Sequence, residues 1–271
     1  MTTAQTLPRL PTRPWRWVAW LLVSQMLVAL AWGWLGWKAG LPLLLASHAL
    51  FIVPVFLPNS RFYGPVLSRL PGPAVWLTID DGPSDDTLAI LDLLDHHGAK
   101  ATFFMVGERA AARPELVREV LRRGHGIGNH SHSHPQARFW RLGPWRSVRE
   151  IGDCQQTLAA LAGRPPCWYR SVVGMTNPFV AAALSGTGLH RVGWSARGFD
   201  GVGCRPDAVV ARITRDLVPG AIVLLHEGAA HGHNPAIVEA VLHELQARGL
   251  RADLPPERQP ALTAARPAAS C

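Results

Sequence analysis

From Trp17 to Trp37 the chain reads WVAWLLVSQMLVALAWGWLGW, without one charged side chain. A run of about twenty apolar residues is what a helix needs to cross the hydrocarbon core of a bilayer, where only internal hydrogen bonds can satisfy the backbone. Tryptophans gather near both ends of the run, as they do at membrane–water interfaces. After a short KAG comes a second apolar stretch, LPLLLASHALFIVPVFLP at 41–58, interrupted by His48 and Pro54. A secretory signal has a shorter apolar core and a small-residue cleavage site, and neither is evident. The two stretches are therefore expected to form a transmembrane helical hairpin. Arg9, Arg13 and Arg16 precede it, Lys38 alone lies in the connection, and Arg61 and Arg69 follow. The positive-inside rule then places both termini in the cytoplasm. If the second stretch were only interfacial, the C-terminal part would lie outside instead. The expected layout is a cytoplasmic segment over 1–15, two transmembrane helices over 16–58, a linker over 59–73, one globular domain over 74–254 and a Pro/Ala-rich disordered tail over 255–271.

The hydrophobic share is 48%, and its excess over an ordinary soluble enzyme sits in the first sixty residues, so the remainder has the composition of an ordinary globular domain. The formal charge is +8, and Lys38 and Lys100 are the only lysines, so the basicity is almost all arginine. Arginine forks suit phosphate oxygens, whether on nucleic acid, an anionic bilayer or a phosphorylated lipid. No basic block is interleaved with aromatic residues, which argues against nucleic acid as a partner. Cys154, Cys167, Cys204 and Cys271 show neither CxxC nor metal-finger spacing, so no disulfide framework is expected. That leans towards a reducing compartment.

Beyond Pro71, short apolar runs alternate with helical patterns. Candidate strands are 74–80, 101–106, 125–129, 167–170, 189–195, 221–225 and 250–254. Helical stretches such as DTLAILDLLDHHG and PELVREVLRRG lie between them, each closed by glycine. Such alternation predicts a largely parallel sheet or barrel, with its chemistry at the C-terminal ends of the strands. Polar residues stand at five of those ends: Asp80 and Asp81; the run NHSHSHP at 129–135; Arg170; Trp194 and Asp200; and His226. Together they predict an active site. The run carries His130, His132 and His134. In an extended segment all three share a face, whereas in a helical turn only 130 and 134 do. Pro135 permits at most one such turn.

Three motifs resemble those of the polysaccharide deacetylase (NodB-homology, carbohydrate esterase 4) family: TIDDGP at 78–83, HSHSH at 130–134 and IVLLHEG at 222–228. The resemblance covers roughly 74–254. It implies an α/β fold, a distorted (β/α) barrel of about seven parallel strands. It also implies a metal-dependent N-deacetylase with Asp81, His130 and His134 as ligands of zinc or another divalent ion. On the same pattern Asp80 is the general base, Arg170 orients that carboxylate, and His226 is the acid that protonates the leaving amine. Asp200 holds His226 protonated, Trp194 and Leu224 line a small acyl pocket, and His132 is left to meet substrate or solvent. His231 and His233 are read as loop residues.

Two departures stand out. The third motif reads RSVVGMTNP, with Val172 where the family has proline and Val173 where it has an aromatic residue. In the fourth, Arg197 occupies one expected place of an aspartate, leaving Asp200 as the match. Both lie on the substrate side, so the implied chemistry is retained and the acceptor altered. With the hairpin, this implies a multi-pass protein of a bacterial inner (cytoplasmic) membrane, its catalytic domain facing the cytoplasm. The implied substrate is an amino sugar carried on polyprenyl phosphate, acetylated or formylated, used in lipid A or other envelope glycans. Arg61, Arg69 and the loop RFWRLGPWR at 138–146 are candidates to meet the lipid phosphate and the bilayer. The alternatives are an anchored extracytoplasmic polysaccharide or peptidoglycan deacetylase and a non-catalytic glycolipid-binding protein.

Overall fold

The computed structural model describes residues 10–202 and 205–255. The first nine residues, Cys204, and the expected tail beyond 255 with Cys271 lie outside the described residues. Helices α1 (Arg16–Leu35) and α2 (Trp37–Ile52) are joined through Gly36 alone, and a 3-10 turn (Val53–Phe56) extends the second. Gly36 has φ 75° and ψ −179°, a backbone region open essentially only to glycine, so a one-residue reversal is possible there. The helices also touch closely at Gly40, where a Cβ would lie 2.4 Å from the Trp32 ring. Midway along, Gln25 donates to Ser47 at 2.9 Å and Ser47 to Ser24 at 3.1 Å, joining the pair by polar contacts in an otherwise apolar setting. Arg16–Leu35 and Trp37–Phe56 are each long and apolar enough to cross a membrane. Their outward faces, with Trp20, Leu27, Leu30, Trp34, Leu45 and Leu50, are exposed.

The remainder is a curled sheet of seven parallel strands with helices outside. The strands are β1 (Trp76–Gly82), β2 (Ala101–Met105), β3 (Gly126–Asn129), β4 (Trp168–Tyr169), β5 (His190–Arg191), β6 (Ala196–Arg197) and β7 (Ile222–His226). Their spatial order is β5-β4-β3-β2-β1-β7-β6. β1 is central and covered on both faces, as parallel sheets require. Its odd-numbered residues Leu77 and Ile79 meet the helix-side core with Ile90, Val117, Leu158 and Val241. Its even-numbered residues face the barrel interior, where Trp76 joins Phe104, Trp168, Ile222 and Leu224. The outer helices are α3 (Thr87–His96), α4 (Gly107–Ala112), α5 (Pro114–Arg122), α6 (Pro144–Ala162), α7 (Val180–Thr187), α8 (Pro206–Arg215) and α9 (Asn234–Ala247).

Two strand expectations are corrected. The run 189–195 is not one strand, because the chain leaves the sheet at one edge after β5 and re-enters at the opposite edge as β6. Gly193 sits in that crossing. Its N–H is taken by Leu67 O and its carbonyl by Arg170, so it cannot continue the ladder. The run 250–254 reduces to a single bridge, Ala252 to Val75; β6 is the seventh strand instead. With only 192–195 between the two edges, the sheet must curl almost shut. Residues of the expected linker fill the seam: Leu67 bridges Val192, Arg69 bridges Ala221, and Leu70 N–H donates to Gly220 O at 2.8 Å. No disulfide forms among the described residues; Cys154 and Cys167 are buried.

Candidate active site

A strand turns successive side chains to opposite faces, so Asp80 and Asp81 should point apart. They do not. The β1–β2 register slips between Asp80 and Gly82, leaving Asp81 as an extra residue with φ 71°. Such a bulge re-aims a side chain at the end of a strand, and aspartate tolerates the left-handed region better than most residues. Both carboxylates therefore line the same cavity. The turn after them passes through a cis Gly82–Pro83 bond.

The histidine run is resolved in a similar way. Ser131 (φ 70°) and His134 (φ 51°) take left-handed backbone, so the segment is neither strand nor helix. His130 and His134 converge on Asp81, with Nε2 atoms 3.4 Å and 2.9 Å from its Oδ1. His132 diverges: its N–H donates to Glu150 at 3.1 Å and its ring lies beside Gly107. It does not line the cavity, which corrects the expectation that it meets substrate there.

Asp81, His130 and His134 offer ligand atoms all within 4.8 Å of one another. Metal–ligand bonds of about 2.0–2.1 Å at tetrahedral angles would separate such atoms by roughly 3.3 Å, so the trio fits a zinc-sized divalent ion. Two further observations agree. Asp81 Oδ1 is buried without a hydrogen-bond partner. His130 Nδ1 is paired with Arg170 O at 2.9 Å, which leaves Nε2 as the ligand nitrogen. Burial alone would raise the Asp81 carboxyl, but His130 and His134 hold it far below the usual carboxylate range. Burial lowers His134 and so favours its neutral, ligating form.

Asp80 is fixed from the other side. Arg170, fully buried, donates from Nη1 to Asp80 Oδ1 at 2.8 Å and to Thr78 Oγ1 at 2.6 Å, and from Nη2 to Gly193 O at 2.9 Å. Its guanidinium lies 4.4 Å over the Phe104 ring. Asp80 Oδ2 is then left towards His130, 3.7 Å from Nε2. Across the cavity, Asp200 grips His226 twice, accepting the main-chain N–H at 2.6 Å and pairing with Nδ1 at 2.9 Å. Burial pushes the His226 imidazolium down, but the Asp200 carboxylate outweighs it and brings the pKa up to about 9. His231, expected as a loop residue, pairs with Asp200 O at 2.8 Å and so braces the loop from behind.

Leu224 and Trp194 line the cavity as expected. So do Val173 and Arg197, whose departures from the family motifs were expected on the substrate side, and Gln136, Gly174, Phe199, Gly201 and Val202, which sequence reasoning did not place there. Its volume is about 90 Å³, below the usual range for whole-ligand pockets, so it suits a small reacting group with the rest of the substrate outside. Gly174 was signalled only indirectly. It has φ 73°, and a Cβ there would lie 2.2 Å from the Trp194 ring and 3.0 Å from Pro58. That contact brings in the hairpin. Thr176 N–H donates to Val55 O at 2.8 Å, Asn59 donates to Trp194 O at 2.8 Å, and the Phe56 and Trp140 rings lie 5.7 Å apart. Arg138, Arg141 and Arg146 are exposed in the same neighbourhood, and Trp145 is 85% exposed.

Comparison with known proteins gives a consistent result. A family model described as polysaccharide deacetylase matches residues 68–192. A chitooligosaccharide deacetylase from Bradyrhizobium sp. (strain ANU 289) is 32% identical over 200 residues, covering 73% of this chain and 89% of that protein. A peptidoglycan-N-acetylglucosamine deacetylase from Bacillus cereus is 32% identical over 181 residues, 65% of either protein. Among solved structures, a family 4 carbohydrate esterase from Streptomyces lividans in complex with acetate superposes with a TM-score of 0.62 at 32% identity. That likeness covers 67% of this chain and 92% of the other.

Proposed function

The chain belongs to the polysaccharide deacetylase family, and from that premise we propose that it is a metal-dependent N-deacylase of an amino sugar carried on polyprenyl phosphate. The observation that carries the lipid-linked substrate is the seating of the hairpin against the cavity wall. Val55, Pro58 and Asn59, at the exit of the second apolar helix, contact Thr176, Gly174 and Trp194, and Gly174 and Trp194 line the cavity itself. With the two helices in a bilayer, the reacting amide is met at the membrane surface, where a lipid-borne sugar resides. The exposed arginines and tryptophans of 138–146 suit the same boundary. The arginine distribution favours the cytoplasmic face of a bacterial inner membrane, with the product entering envelope glycans such as lipid A.

Each group has a task. A divalent ion such as zinc, held by Asp81, His130 and His134, would supply Lewis acidity to the acyl carbonyl and to water. Asp80, oriented by Arg170, takes the proton of the attacking water. His226, kept protonated by Asp200, hands its proton to the sugar nitrogen as the C–N bond breaks. Leu224 and Trp194 close around the acyl methyl or formyl hydrogen, which limits the reaction to small acyl groups.

The test is mass spectrometry of polyprenyl-phosphate N-acetylhexosamine incubated with detergent-purified, zinc-loaded protein beside a chitin oligosaccharide. Loss of acetyl from the lipid, abolished in Asp80→Asn, is the expected outcome. Loss from the oligosaccharide alone would overturn the lipid-linked reading. It would favour an anchored polymer deacetylase, the activity for which the similar Bradyrhizobium and Bacillus proteins are named.

A further inference from the structure

The cavity wall carries a cation that the chemistry above does not use. Arg197, on β6, lies 5.1 Å over the Trp194 ring and 4.2 Å over the Phe199 ring. It borders the same cavity as Asp80, Asp81 and His226. Phe199 holds its place with φ 68°, an uncommon conformation for an aromatic residue. Contact with two rings restrains the guanidinium, so less freedom is left to lose on binding a ligand.

What distinguishes Arg197 is that nothing in the fold occupies it. The buried guanidinium groups are committed: Arg170 to Thr78, Asp80 and Gly193, and Arg191 to Ser60 O. Among the described residues, the Arg197 side chain forms no hydrogen bond and no ion pair. Its Nε is buried without a partner, as are those of Arg170 and Arg191, but of the three only Arg197 has its terminal nitrogens unpaired as well. A half-buried donor left unpaired costs free energy, and a ligand that supplied an oxyanion would recover it. Burial lowers the Arg197 pKa, with Asp200 and Asp80 opposing that effect from a distance; the group is a cation throughout the working range.

We infer that Arg197 is a specificity-determining residue that binds the phosphate of a glycosyl phosphate whose N-acyl group sits at the metal-ligand trio. The inference rests on the amino-sugar reading of the site. A planar fork matches phosphate oxygens in bidentate fashion, and a neutral polysaccharide offers it no comparable group. The phosphate could belong to a lipid-linked sugar or to a free sugar 1-phosphate, and both present the same oxyanion.

The experiment is titration calorimetry on the full-length, detergent-solubilised, zinc-loaded chain, with Asp80→Asn as the common background of the wild-type and variant Arg197 forms so that binding is read without turnover. The probes are N-acetylglucosamine 1-phosphate, its uncharged methyl glycoside and polyprenyl-phosphate N-acetylglucosamine. The wild type should prefer the 1-phosphate to the methyl glycoside. Arg197→Gln should cut that preference by about ten- to a hundredfold, the usual weight of a charge-assisted hydrogen bond. Arg197→Lys, which keeps the charge and loses the fork, should fall between. An equal preference in wild type and both variants overturns the inference. Tighter binding of the lipid-linked form than of the free 1-phosphate assigns the phosphate to the membrane. Equal binding with the preference intact keeps the role of Arg197 and removes the lipid-linked substrate, so the two readings fail separately.

Discussion

At the scale of single residues, the site is built by departures from regular backbone. Asp81, His134, Val173 and Phe199 all border the cavity and all have positive φ, a concentration expected where geometry is imposed for function. This is also where sequence reading stopped. The motifs marked Asp80, Asp81, His130, His134, Arg170 and His226, but strand alternation would have sent Asp80 and Asp81 to opposite faces. Only the bulge brings them together, and no residue pattern announces it. The direction of His132, left open between substrate and solvent, was not legible for the same reason, because it depends on left-handed backbone. Two outcomes follow at this scale. Asp200→Asn removes the carboxylate that holds His226 up to about 9. On the proposed mechanism His226 is the acid and activity is lost as pH rises through its pKa, so the alkaline limb of kcat should move to lower pH in the variant. A pH–rate profile at saturating substrate reads this directly. Arg170→Lys cannot serve Thr78, Asp80 and Gly193 at once, and it leaves Asp80 buried beside a poorer partner. Loss of about 2 kcal/mol or more is expected in denaturant unfolding, with activity largely abolished.

At the scale of elements, the proposed mechanism requires the ends of β1 and β7 to be held in register, so that Asp80 and His226 face one amide. Glu227, the residue after His226, ties them. Its Oε2 accepts from Ser84 N–H at 3.2 Å and Ser84 Oγ at 2.8 Å, and also from Thr87. Burial pushes this carboxyl up to about 7, against the pull of those donors. The folded chain thus holds a proton that the unfolded chain, near 4.5, has released. Stability from this group is fully present below the unfolded value and is lost as pH rises through the folded one. Glu227→Gln should flatten the dependence of melting temperature on pH between about 5 and about 8. Gly174→Ala meets both a left-handed φ and the Trp194 ring, so it should lose at least about 1 kcal/mol and most activity. Elements with long local patterns were legible, among them both apolar helices and β1, β2 and β7. β5 was expected within the run 189–195 but at too great a length, and β6 was not legible, because only tertiary contacts define where these two-residue strands begin and end.

At the scale of the whole molecule, the apolar hairpin and the catalytic domain are one packed body rather than an enzyme on a tether. Tyr63 donates to Phe51 O at 2.6 Å, Trp17 and Phe179 rings lie 5.7 Å apart, and Thr176 bonds Val55. Removing residues 1–58 should therefore do more than release the protein from vesicles. Flotation with liposomes should be lost, and the melting temperature of the remainder should fall because the wall behind Gly174 and Trp194 is stripped. An unchanged melting temperature would show that the hairpin is only an anchor.

The barrel seam has a consequence in time as well as space. Leu67 and Leu70 emerge from the ribosome just behind the apolar hairpin, yet their partners are Arg191, Gly193 and Gly220. The segment that seals the barrel must wait for most of the chain to be synthesised, so contacts of long sequence separation decide when folding finishes. Until then the half-made interior is open beside the apolar hairpin. Nascent chains arrested before Gly220 should remain protease-sensitive between 59 and 73, and chains arrested well beyond His226 should become resistant there in one step.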